Sequence, residues 1–336
     1  MNKVYIHYEG KFSQNLYPWS SLDVISMGEI LKSNNVCVEF ISLNDIPSRG
    51  LSSFKNKTII FGGSQNAIEK SVIEDYTYWL EKNGCKVIPS YESLRALENK
   101  GFQALASECF LPEKYLPYYY NTSSNIPFED NFVYKLTDGA GSNGVFIPSS
   151  YSSLKRRFFV EISKRASIVS IVPYFKQLVK RVVKWRYIKE KEEYYKPRVN
   201  MVMQKFIHGL DCDYKVLVFG NRYFVLKRNI AEGDFRASGS NLFEVVSKAP
   251  VPVLELAKEV SVKLKSPYCS LDISLDSKGS TRLIEYQCTH FGPYTYLSAT
   301  HVNIFVKDTW MNVPWQHVSL EEIYAYAIID YISEEN

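Results

Sequence analysis

Three oxygen-bearing side chains, Asp272, Glu285 and Gln287, give the most specific chemical signal in the sequence. Residues 277–280 centre on Lys278-Gly279 and predict a turn, so 270–275 and 282–287 should pair as a hairpin. Such a turn puts Asp272 opposite Glu285, and the two-residue step to Gln287 keeps it on the same strand face. Carboxylates packed this closely repel one another unless a cation lies between them. Oxygen ligands suit Mg²⁺, which usually completes its shell with substrate phosphates and water. Solvated carboxylates on an edge hairpin are the alternative reading. The apolar neighbours Leu271, Ile273, Leu283 and Ile284 argue for a buried setting.

Three further segments carry phosphate and nucleotide chemistry. Lys135 precedes GAGSNG at 139–144. Gly139, Gly141 and Gly144 let backbone N–H groups approach a polyphosphate, Ser142 adds a hydroxyl, and the lysine adds a point charge. A plain glycine hairpin with an incidental lysine explains the same letters, and neither a Walker A loop nor a dinucleotide turn is present. The segment QKFIHGLD spans 204–211. The backbone of Lys205 and Ile207 suits an adenine edge beside Gln204, with Phe206 or Ile207 against the ring and Asp211 at a ribose; a strand followed by a turn is the bland alternative. Finally, KRNIAEGDFRASGS at 227–240 gathers Lys227, Arg228 and Arg236 among small hydroxylated residues. That grouping suits a transferring phosphoryl group and a carboxylate, or else a solvated basic loop.

The elements that must position these residues follow from periodicity. Through the first ninety residues, strand-like runs at 4–8, 36–43, 58–62 and 86–89 alternate with helical spacing at 20–32 and 67–82, which predicts a parallel α/β unit. Asn83-Gly84 reads as a helix stop. Gly62-Gly63-Ser64, after the third strand, reads as either a ligand loop or a simple turn. A helix opens at Asn99-Lys100, and 131–136 and 145–148 flank the glycine loop as strands. Strands dominate from 199 onward, at 199–207, 214–219, 223–228, 270–275 and 282–287, with one helix near 253–264 and another beginning near Leu320.

A chain of 336 residues is long enough for two or three compact parts, and nearly half of it is apolar. The formal charge of +4 permits an anionic ligand but lacks the dense basic footprint of a nucleic-acid binder. The six cysteines form no CxxC pair and no zinc spacing, so reduced thiols are expected. No signal peptide and no apolar run of spanning length is apparent, which predicts a cytoplasmic protein.

Taken in order, these segments resemble the ATP-grasp superfamily, most of all the ligases that add glutamate to a ribosomal protein, and also glutathione synthetase. The likeness lies in QKFIHGLDCDYKVLVFGNRYFVLKR, GDFRASGS and LDISLDSKGSTRLIEYQ, and covers about residues 99–287. It implies an α/β plus α+β chain with an N-terminal parallel α/β domain at 1–98, a central lid domain at 99–203 and a C-terminal antiparallel sheet domain at 204–336, with ATP between the last two. It further implies that Lys100 and Lys135 hold ATP phosphates under the mobile flap 139–144, and that Gln204, Lys205, Phe206 and Ile207 meet adenine with Asp211 at the ribose. Lys227 would reach the γ-phosphate, Arg228 and Arg236 would steady the acyl phosphate, and Asp272, Glu285 and Gln287 would carry one or two Mg²⁺. The expected reaction joins a carboxylate donor to an amine acceptor. An envelope glycan acid is the first substrate reading; a peptide or protein tail, a hydroxyl kinase, and a non-catalytic binding module stay open. Two departures stand out: Gln287 replaces the usual asparagine, and CTHFGPYTY at 288–296 replaces a short turn.

Residues 151–200 form a basic, apolar insertion. Its stretch 171–188 predicts an amphipathic helix with Pro173 in the first turn and Ile171, Phe175, Leu178, Val182 and Trp185 on one face. Peripheral contact with an anionic membrane, internal packing and a homodimer contact are the readings it allows.

Overall fold

The computed structural model describes residues 3–13, 22–110, 118–122, 127–138, 144–165, 168–237 and 239–334. It divides into two compact units, one made of 1–97 with 208–336 and the other of 98–207. The segments 1–98 and 204–336, separate in the sequence-based division, thus largely share one unit.

The first unit opens with β1 (Lys3–His7), α1 (Val24–Ser33), β2 (Cys37–Ile41), α2 (Asp45–Arg49), β3 (Thr58–Ile60), α3 (Ala67–Lys82), β4 (Lys86–Ile88) and α4 (Tyr91–Arg95). The four strands form a parallel sheet in the order β2-β1-β3-β4. Both faces of β1 are covered, as parallel sheets require, and Val4, Tyr5, Ile6 and His7 are all buried. Helix α3 fills the predicted span. The Asn66 side chain accepts from the Ile68 and Glu69 N–H groups, and Gly84 follows the C-cap at φ 80°.

The strand order reverses between β1 and β3, where open α/β sheets place ligands. Here the chain itself fills that position. Lys11 and Gly63 exchange two backbone hydrogen bonds of 2.9 Å. A Cβ on Gly62 would lie 2.5 Å from the carbonyl carbon of Gly10, so this residue must be glycine for the two loops to meet. The Ser64 hydroxyl donates to Glu69. Gly62-Gly63-Ser64 therefore acts as a packed turn.

The second unit contains α5 (Lys100–Phe110), β5 (Tyr118–Thr122), β6 (Phe132–Leu136), β7 (Val145–Phe146), α6 (Tyr151–Arg165), α7 (Ile168–Val182), α8 (Lys189–Tyr195) and β8 (Val199–Lys205). Its antiparallel sheet runs β5-β8-β6-β7 over a core of Tyr134, Leu136, Leu154, Phe158, Val199, Met201 and Met203. The insertion holds three helices where the sequence suggests one long one. Pro173 lies inside α7, not in its first turn, and the helix stops before Ile188. The stop is a left-handed cap: Lys184 has φ 51°, and the Trp185 N–H returns to the Lys180 carbonyl at 3.1 Å.

The chain then re-enters the first unit with β9 (Cys212–Phe219), β10 (Arg222–Asn229), β11 (Phe243–Val245), α9 (Val251–Leu264), β12 (Tyr268–Leu275), β13 (Thr281–Gln287), α10 (Tyr294–Ser298), β14 (His301–Val306), β15 (Thr309–Pro314) and α11 (Leu320–Glu334). The antiparallel sheet runs β13-β12-β9-β10-β14-β15, and β11 pairs with β10. One core joins it to the parallel sheet: Val4, Ile6 and Met27 cluster with Phe219, Tyr268, Phe291 and the α11 residues Ile323, Tyr324 and Ile328. No described helix is long and apolar enough to cross a membrane.

Candidate active site

The hairpin of β12 and β13 forms as its turn predicts. Gly279 takes φ 82°, and Asp276 Oδ1 accepts from the Lys278 and Ser280 N–H groups at 2.9 Å each. Asp272 pairs directly with Glu285, and Ser270 with Gln287. Leu271, Ile273 and Tyr286 are buried, so alternation turns Asp272, Glu285 and Gln287, each half-buried, to the opposite face, while Leu283, buried opposite Ile273, lies beyond the extra residue Ile284 that resets the alternation. A bulge lies beside this pair, between Asp272 and Ile273, where an irregularity re-aims side chains.

Two more strands supply charge to the same face. Asp272 lies opposite Lys215 on β9, and Asp213 lies opposite Arg228 on β10. The Arg228 guanidinium donates to both oxygens of Asp213, at 2.6 and 2.8 Å, and reaches Asp272 Oδ2 at 2.8 Å. Lys215 Nζ donates to Asp272 Oδ1 at 3.3 Å. Burial alone would push the Asp272 carboxyl up, but Arg228 and Lys215 outweigh it and hold the group well below the usual carboxylate range. Asp272 is therefore a fixed, ionised anion, oriented before any ligand arrives. Asp213 and Lys215 are the residues that sequence reading missed. The strand begins at Cys212, ahead of the expected start at Tyr214, and the two-residue spacing of Asp213 and Lys215 is the signal that marks a shared face.

Lys227 and Arg228 part company. Being consecutive on β10 they face opposite sides, and Lys227 pairs with Glu244 of β11 at 2.8 Å, away from Asp272. Arg236 sits in the loop after β10 and holds Asp234 at 2.8 Å. Hydrogen bonds from that guanidinium, with backbone help, bring the Asp234 carboxyl down to about 2. Asp211 is exposed at the entry to β9, and its carbonyl accepts from Ile230 N–H at 2.9 Å.

In the second unit, Lys135 on β6 and Gln204 on β8 are diagonal neighbours, and the Lys135 ammonium donates to Gln204 Oε1. Lys100 opens α5, and its N–H donates to the Thr137 carbonyl at 3.1 Å, two residues beyond Lys135. Both lysine side chains are buried. Lys205 is exposed at the end of β8; Phe206 and Ile207 are half-buried, and the Phe206 N–H donates to the Asn131 carbonyl at 2.7 Å. Gly144 takes φ 77° ahead of β7. Gly139, Gly141 and Ser142 lie outside the described residues.

The described residues hold no cluster of three or more His, Cys, Asp or Glu side chains arranged for a metal. The hairpin face carries two carboxylates and an amide, oxygen donors of the kind Mg²⁺ takes together with phosphate and water.

No family model matches the chain, and no curated protein matches it in sequence. Solved structures do. The ATP-grasp ligase PsnB, complexed with precursor peptide PsnA2 and AMPPNP, aligns over 98% of each chain at 11% identity with a TM-score of 0.50. The macrocyclase MdnC from Microcystis aeruginosa MRC, bound with precursor peptide MdnA, aligns over 98% of this chain and 100% of its own at 9% identity, again with a TM-score of 0.50. Identity this low speaks to architecture alone, and over 98% of its length this chain shares theirs: the protein has the ATP-grasp fold.

Proposed function

We propose that the protein is an ATP-dependent carboxylate–amine ligase that releases ADP. One observation carries this reading: within an ATP-grasp fold, Asp272 and Glu285 face each other across β12 and β13, with Gln287 beside them and Arg228 and Lys215 anchoring one carboxylate. In this reading Lys100 and Lys135 neutralise ATP phosphates, with residues 139–144 as the flap. Gln204, Lys205, Phe206 and Ile207 receive adenine, and Asp211 the ribose. Lys227 and Arg236 serve the phosphoryl and acyl groups after exchanging their present carboxylate partners, while Arg228 acts through Asp272. Asp272, Glu285 and Gln287 would hold Mg²⁺, which would supply positive charge to the phosphoryl transfer.

A donor carboxylate oxygen bonds to the γ-phosphorus as the bond to ADP breaks, giving an acyl phosphate. The amine nitrogen then attacks the acyl carbon, phosphate leaves, and the amine loses a proton to form the amide. We propose a carboxylated envelope glycan or its precursor as the donor and an amino acid or amine as the acceptor. Peptide carboxylates are the second class, favoured by the precursor peptides bound to PsnB and MdnC.

Hydroxylamine trapping tests the reaction class. With ATP, Mg²⁺ and a panel of uronic-acid glycans and acidic peptides, the correct acid should yield a hydroxamate together with ADP. A phosphorylated alcohol, with no hydroxamate from any acid, would establish a kinase instead. Asp272→Asn and Glu285→Gln should each lower trapping about 10²–10³-fold, since each weakens the hold on the cation that would meet the developing negative charge. Near-normal rates in both variants would remove the hairpin from the site.

A further inference from the structure

The insertion between β7 and β8 concentrates charge that the rest of the chain does not share. Residues 151–200 contain fourteen lysines and arginines against four acidic residues, a net +10, in a chain whose total is +4. The same segment carries an apolar helix face that nothing among the described residues covers. Helix α7 turns one side to α8: Gln177 is buried and accepts from the Ile188 N–H at 3.4 Å, and Arg181 pairs with Glu192 at 2.7 Å. The opposite side, at three- and four-residue steps, shows Val172, Phe175, Val179 and Val182, with Val182 77% exposed. Val183 and Trp185 flank the Lys184 cap, both 59% exposed. Ile171 and Leu178, expected on this face, lie half-buried at its margin. Lys176 is exposed beside the apolar row, and Arg186 holds its guanidinium 5.1 Å from the Trp185 ring centroid.

We propose that this face of α7 docks the protein on an anionic lipid surface. Its occupant must accept apolar side chains and a high positive charge together. A second copy meets only the first demand, because packing α7 on itself brings two +10 segments into contact. A peptide partner needs a groove or a strand edge to hold it, whereas the exposed side chains here project from one convex helix face. A bilayer interface meets both demands: Phe175, Val179 and Val182 enter the boundary of headgroups and acyl chains, the lysines meet anionic headgroups, and Trp185 lies at the polar margin. Docking draws on no residue of the ligase site, so it stands or falls apart from the proposed reaction.

Co-sedimentation of the full chain with vesicles decides it. The protein should pellet with phosphatidylglycerol-containing vesicles, not with pure phosphatidylcholine, and binding should weaken as added salt screens the lysines. Changing Lys176, Lys180 and Lys184 together to glutamate should reduce partitioning at least about 100-fold, the sum of three headgroup attractions lost. Phe175→Ser with Val179→Ser should also reduce it, about tenfold or more, with an unchanged melting profile because both side chains are already exposed. Trp185 emission should shift to the blue on anionic vesicles and that shift should vanish in Trp185→Phe. Absence of pelleting, equal pelleting with both lipids, or pelleting indifferent to both sets of substitutions overturns the proposal. So does dimerisation, or capture of an acidic peptide, through this face without vesicle binding.

Discussion

Arg228 is buried between two carboxylates, and each of its hydrogen bonds stands in for water that folding removed. Buried ion pairs of this kind add little net stability when complete, but removing one member leaves an uncompensated charge. Arg228→Met should therefore lower unfolding free energy by about 3–5 kcal/mol, read from urea titration of the free protein. Adding Asp213→Leu should recover part of that loss, because it removes the buried charge left behind. A single variant as stable as the parent would mean that Asp213 and Asp272 find other partners. At this scale the sequence was readable in part: Asp272 does pair with Glu285, but the register running out from the turn would set it opposite Ile284, and the bulge supplies the remaining step. Capture of Asp272 by Lys215 links residues 57 positions apart, and no local pattern announces it.

Among the elements, helix ends follow chemistry legible in the letters, with informative exceptions. Asn66 and Gly84 bound α3 as capping rules predict. Helix α9 instead ends on Lys265 in the left-handed region, at φ 48° and ψ 46°, where a β-carbon is strained. Lys265→Gly should relieve that strain and raise stability by up to about 1 kcal/mol, a shift of roughly 2–4 °C in melting temperature for a unit of this size. A lower melting temperature would show that the lysine side chain contributes more than its backbone costs. Lys184 likewise has a positive φ, 51°, and it is why α7 stops where its apolar periodicity does not. Periodicity reports which residues share a face; it does not report a left-handed residue that is neither glycine nor asparagine.

Across the whole molecule, one helix closes the larger unit. Ile323, Tyr324, Ala325, Ala327 and Ile328 of α11 have no exposed surface and pack in a core that includes Val4 and Ile6 of the parallel sheet and Leu217 and Phe219 of the antiparallel one. The Tyr324 hydroxyl donates to the Phe12 carbonyl at 3.2 Å. Deleting residues 320–336 removes that layer at once, and each large side chain lost from such a core costs about 2–5 kcal/mol. Against a typical total of about 5–15 kcal/mol, the deletion should abolish cooperative melting and near-ultraviolet circular dichroism. A truncated chain that still melts cooperatively would mean that the two sheets hold together without α11.

The sequence by itself determined what depends on a few neighbouring residues: the span of α3, the hairpin of β12 and β13, and the common face of Glu285 and Gln287. These follow from backbone periodicity and turn sterics, which act within a turn or a strand pair. Tertiary structure alone decided that residues 1–97 and 208–336 share one unit, that Arg228 is locked to Asp213 and Asp272, and that one side of α7 is covered while the other is left bare. Burial and ion pairing are properties of surfaces that meet only after the chain has folded back on itself, between residues whose separation along the sequence carries no signal of their contact.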